Sequence, residues 1–127
     1  MNAKLFLTIS AVISFLYGLA FLLITKGMSE LFGIAPEAHI TLSLRFFAAA
    51  LMTLGIVRWF AKDFRDWDAV RGILISVVAG DILIGLVNIW GAIRGLINAL
   101  AWSSTILLIV LIIGALTCLM NRPPSEA

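Results

Sequence analysis

The chain has 127 residues, 62% of them hydrophobic and 13% charged, with a mean hydropathy of +1.12. A soluble domain carries about 25% charged residues, so this composition leaves too little polar surface to cover a water-soluble fold. A net charge of +2 and a pI near 9.1 would suit a nucleic-acid binder. The basic residues stand at the edges of apolar runs, however, where they orient membrane helices, and no nucleic-acid partner is expected.

Residues 1–4 are short and basic, and an apolar run over 5–25 follows. That run exceeds the roughly 7–15 residues of a secretory signal core, and no convincing A-x-A cleavage site follows it, so it reads as a retained first membrane helix. Three further runs, 41–61, 69–90 and 100–120, reach the roughly 20 residues that a bilayer-spanning helix needs. In hydrocarbon every backbone N–H and C=O must be satisfied within the segment, and the runs lack the period-two alternation of barrel strands, so helices are required. The connections are short. Residues 26–40 contain Gly27, Gly33 and Pro36, which break helices, with Met28, Leu31, Phe32 and Ile34 placed to lie on the membrane surface. Residues 62–68 form a turn of mixed charge that neutralises itself, and 91–99 form a glycine-containing turn. The reading is all-α: one integral membrane domain over 1–120, an up-down-up-down four-helix bundle, with a flexible tail at 121–127.

Lysine and arginine placement gives an orientation. Lys4, Arg58, Lys62, Arg65, Arg71 and Arg122 gather on one side, against Lys26, Arg45 and Arg94 on the other. The positive-inside rule puts both termini in the cytoplasm. Trp59 and Trp67 fall at the inner boundary, and Trp90 and Trp102 at the outer, as aromatic belts do. Ser10, Ser14 and Gly18 make a small-residue stripe on the first span. Ser76 with Gly80 repeats it on the third, and Gly91 and Gly95 straddle that helix's outer end. Such stripes let helices approach closely.

Asp81 and Arg45 are the ionisable residues assigned to the membrane interior. Each costs about 2.5–3.5 kcal/mol at the centre of a span, so each is expected to face the protein interior or water. At 1.5 Å per residue, Asp81 and Tyr17 both lie ~18 Å above the inner boundary, Arg45 ~24 Å and Asn88 ~28 Å. Tyr17, Arg45, Asp81 and Asn88 thus form one candidate polar cluster in the outer half. As a structural cluster, Arg45 pairs with Asp81 and the other two fill hydrogen bonds. As a functional one, it lines a cavity for a polar headgroup, a small ligand or a proton. One consideration works against the Arg45 pairing. Helical side chains lean toward their own N-terminus, which sends Arg45 outward and Asp81 inward, leaving Glu30 or Glu37 as alternative partners.

Little else in the sequence points to chemistry. His39 is the only histidine and Cys118 the only cysteine, which excludes bis-histidine haem ligation within the chain, an internal disulfide and a CxxC centre. His39 reads as a solvated loop residue and Cys118 as a packing residue. Ser-x-x-Lys, G-x-S-x-G, H-E-x-x-H and phosphate-loop signatures are all absent. No catalytic residue, metal site or cofactor is therefore expected, and the protein reads as non-enzymatic.

Leu44-Arg45-Phe46-Phe47-Ala48 opening the second span, the basic turn before the third, and Gly95-Leu96-Ile97-Asn98 leading to Trp102 resemble the DoxX-like and related small four-helix membrane proteins of bacteria. The resemblance covers most of the chain in layout. It implies the bacterial cytoplasmic (inner) membrane, and it brings in a quinone association, because some members are accessory subunits of quinone-linked oxidases. Small multidrug transporters share the four short helices, but they use a glutamate in the first, and residues 5–25 carry no charge. The leading functional expectation is an accessory or scaffolding membrane subunit. Its partners would be the lipid bilayer and another membrane protein or a second copy of itself. The alternatives are an oligomeric ligand-binding or proton-coupled transport protein using Asp81 and Arg45, and a quinone-associated redox subunit, with quinone or lipid as the conceivable bound molecules.

Overall fold

A computed structural model describes residues 2–34, 37–98 and 100–121. These residues fold into five helices: α1 (Ala3–Leu23), α2 (Thr25–Leu31), α3 (Ala38–Ala61), α4 (Trp67–Ile93) and α5 (Leu100–Met120). Four are long and apolar enough to cross a membrane, namely α1, α3, α4 and the Trp102–Met120 part of α5. Their ends fall within three residues of the hydropathy boundaries. Pro36, Arg122 and the rest of the tail expected at 121–127, Asn121 excepted, lie outside the described residues.

Local chemistry sets the ends. Asn2 starts α1, its side-chain oxygen accepting from the Leu5 N–H at 2.7 Å, which satisfies one of the donors that a helix start leaves bare. Asp66 does the same for α4 by accepting from the Asp68 N–H. Ile24 leaves helical geometry at φ −116° and ψ 44°, so α1 stops at Leu23. The Thr25 hydroxyl then donates back to the carbonyls of Phe21 and Leu22, supplying partners to the last turn. The segment expected as a surface loop instead holds the short helix α2, which contains Gly27 and is followed, after its cap Phe32, by Gly33, whose φ of +69° suits glycine. Phe32 is buried with Phe21 and Ala48, and Met28 and Ile34 pack against them, so three of the four residues assigned to the membrane surface seal one end of the α1–α3 pair.

Packing among the long helices is uneven. α1 runs closely along α3 and α4 along α5, while α3 and α4 touch little despite their five-residue connection. Glycine makes the first contact possible. A methyl group on Gly18 would stand 2.7 Å from the Ala48 carbonyl oxygen, and one on Gly55 2.9 Å from that of Ala11. Gly114 of α5 likewise receives the Phe6 ring of α1. At that end Phe6, Leu7, Ala61, Val70, Leu74, Val77, Leu111, Ala115 and Cys118 form a common core drawn from all four long helices. At the other end Asn98, in the α4–α5 connection, donates its backbone N–H to Phe32 O and its side-chain amide to Leu31 O at 2.7 Å. The two helix pairs are thereby tied at both ends.

Candidate functional site

Between the ties lies a buried ion pair. Arg58 of α3 and Asp81 of α4 have side chains only 7% and 4% exposed, with Arg58 Nη2 3.7 Å from Asp81 Oδ1. That separation exceeds the roughly 3.2 Å limit of a good N–H···O bond, so the contact is ionic. The other guanidinium nitrogen, Nη1, donates to Ser14 Oγ on α1 at 2.8 Å, bringing a third helix to the site. Asp81 Oδ2 is buried and has no hydrogen-bond partner among the described residues.

Side-chain direction explains how residues so unevenly placed along their helices meet. Arg58 lies three positions before the end of α3, and Asp81 fourteen positions after the start of α4. Each side chain leans toward its own helix N-terminus. Ala61 and Val70 share the core beside the turn that joins these helices, so Arg58 leans away from that turn and Asp81 toward it. The two directions converge, and the long arginine stem spans what remains.

Two cavities flank the pair. One of about 80 Å³ is lined by Ser14, Tyr17, Arg58 and Asp81 among apolar residues of α1, α3, α4 and α5. A second, also about 80 Å³, lies between α3 and α4 and includes Arg58, Ser76, Gly80 and Asp81. A water needs roughly 10–15 Å³ of such volume and two to four polar partners. Both cavities meet the volume condition, and the first offers four polar side chains. Chemically the site can hold opposite charges in an apolar setting and accept one more hydrogen bond at Asp81 Oδ2.

Of the residues expected to cluster, the structure brings two together. Tyr17 and Asp81 line one cavity. Arg45 is exposed, thirteen positions and so ~20 Å from Arg58 along α3. It forms no ion pair with Asp81, Glu30 or Glu37 among the described residues. Asn88 is half-buried ~10 Å further along α4 than Asp81 and lines neither cavity. Arg58 takes the place assigned to Arg45, and it also leaves the set of boundary cations among which it was counted. The signal for it was present: the lean that disfavours Arg45 favours an arginine on the opposite side of Asp81. His39 is exposed, and no group of three or more His, Cys, Asp or Glu side chains is placed to hold a metal among the described residues.

The turn over residues 62–66 is held by charge. Lys62 Nζ bonds Asp63 at 2.9 Å and sits 4.4 Å above the Trp59 ring, and Lys4 approaches the same carboxylate at 3.6 Å. The hydrogen bond from Lys62, aided by both lysine charges, holds the Asp63 carboxyl below its ordinary range.

Compared with protein-family models, curated proteins and solved structures, the chain matches none.

Proposed function

We propose that the chain is a non-enzymatic integral membrane protein of the bacterial inner membrane, an accessory or scaffolding subunit that joins a partner helix or a second copy of itself. Its four spans make an up-down-up-down bundle with both termini cytoplasmic. Lys4, Lys62, Arg65, Arg71 and Arg122 support that orientation after Arg58 is removed from the balance. The observation that carries the reading is the small-residue face of α4, whose Ser76 and Gly80 border the open cavity between α3 and α4. Gly72 and Gly80 have nothing within 4 Å of an added methyl, and Ser76 between them is exposed. This i, i+4, i+8 run of small residues is unused within the chain, whereas Gly18 and Gly55 on α1 and α3 are filled by their neighbours. Small residues on a membrane helix admit a partner backbone, so the open run suits a helix from outside the chain. The buried charges Arg58 and Asp81 meanwhile pair with each other within the chain.

The test is the oligomeric state of the purified chain in lipid nanodiscs or mild detergent, with and without Gly72→Leu and Gly80→Leu. The expected result is a wild-type assembly larger than one chain and a folded, monomeric double variant. A wild-type monomer with no retained membrane partner, or variants that assemble as before, would overturn the reading.

A second reading, a small ligand-binding or proton-coupled transport protein, is favoured by one observation: Asp81 Oδ2 is buried beside two cavities without a partner. It requires that Asp81→Asn, in a folded chain, abolish proton-linked flux across liposomes. The quinone-associated reading rests on the resemblance alone.

A further inference from the structure

The α1–α3 pair carries a groove on its outer side that neither the ion pair nor the α4 face uses. It encloses about 350 Å³ and its lining, which includes Ala11, Val12, Phe15, Gly55, Ile56 and Trp59, is apolar throughout. Gly55 keeps its floor low. Along α1, Lys4, Thr8, Val12 and Phe15 succeed one another on one face at helical spacing, so the groove points toward Lys4. Along α3, Trp59 lines the groove and its ring carries the Lys62 ammonium at 4.4 Å. Beyond that ammonium lies a pocket of about 200 Å³ at the helix ends, which Lys4, Lys62 and Arg65 help to line.

We infer that this groove and pocket bind one anionic phospholipid, an acyl chain lying between α1 and α3 and the phosphate held by Lys4, Lys62 and Arg65. Dimensions agree. From Leu16 at the far end of the groove to Lys4 is ~18 Å of helix, close to the ~15 Å of one hydrocarbon leaflet. Charge agrees as well. Asp63 already pairs with Lys4 and Lys62, and Asp66 and Asp68 stand in the same region, yet four cations with Arg71 outnumber these three carboxylates. Trp59 and Lys62 stack at the depth where ring and ammonium meet a headgroup.

The experiment is native mass spectrometry of the purified full chain, titrated with phosphatidylglycerol and with phosphatidylethanolamine of identical acyl chains. Wild type is expected to retain phosphatidylglycerol in preference, one molecule per chain. Lys4→Gln with Lys62→Gln removes that preference, by about fivefold per lysine. Val12→Trp, at an exposed position that fills the groove without entering the helix contact, weakens both lipids. Circular dichroism and thermal melts establish that each variant is folded. Glycerol 3-phosphate, the headgroup chemistry without tails, is expected not to compete. Four results would each overturn the inference: equal retention of the two lipids by wild type, an unchanged preference in the lysine variant, full competition by glycerol 3-phosphate, or occupancy by a neutral isoprenoid instead.

Discussion

The α1–α3 and α3–α4 seams share a helix and are built on opposite principles. At the first, Gly18 and Gly55 let backbone meet backbone, and contact runs along much of both helices. At the second, the helices barely touch, two cavities remain, and an ion pair crosses the gap. Lipid tails are as apolar as leucine, so burying apolar surface gains little inside a bilayer, and close packing or polar contact must hold helices together. One seam uses the first means and the other the second. A five-residue connection between α3 and α4 does not by itself produce a close pair.

The sharpest way to break this contrast is to remove one charge. Asp81→Leu leaves Arg58 buried and unpaired, and destabilisation of about 3–5 kcal/mol is expected from titration with a denaturing detergent. Arg58→Met with Asp81→Leu should recover most of it, since replacing both charges by apolar groups is often near neutral. Arg45→Ala, at an exposed site, should stay within about 0.5 kcal/mol. Equal losses at Arg45 and Arg58 would place the partner wrongly. Next in size is the packed seam, where Gly55→Leu overfills a backbone contact and should cost about 1–3 kcal/mol or more by the same titration. The same change at exposed Gly72 should leave the isolated chain within about 0.5 kcal/mol, because no neighbour is in reach of an added methyl. A large loss there would mean that α4's face is already occupied within the fold.

The smallest effect belongs to the turn. Asp63 has a folded pKa below its unfolded one, so its contribution is present above the unfolded value and lost as pH falls through the folded value. The group is fully exposed, and salt screens it. Thermal melts of Asp63→Asn should match wild type at neutral pH and moderate salt. Any difference should shrink further as acid removes the charge from wild type.

The four spans were legible because length and hydropathy alone decide them. What escaped the sequence was anything that depended on which helix faces meet. Arg58 stands one residue before Trp59 near a helix end, so it carries the same signature as a boundary cation. Only the direction of its side chain separates it from one. The Ser10, Ser14 and Gly18 stripe was visible, but the roles within it were not. Gly18 receives α3, Ser14 accepts from Arg58, and the Ser10 hydroxyl donates to its own helix at Leu7 O. The glycines at 72, 55 and 114 each look alike in sequence, and only the fold shows that two are filled and one is bare. The α2 helix was hidden by Gly27, which reads as a breaker although tertiary contacts at Phe32 hold the segment in place.

The order of the two charges along the chain has a consequence for biosynthesis. Arg58 emerges from the ribosome before Asp81, and it stands three residues, ~4.5 Å, from the end of its helix. Its long stem can therefore keep the guanidinium among lipid headgroups while α3 is alone in the bilayer. Asp81, short and deep within α4, has no such refuge. Synthesis thus delivers first the charge that can wait at the interface, and second the one that must find its counter-ion on arrival. The neutralisation of Asp81 is in this way coupled to the insertion of α4 beside Arg58.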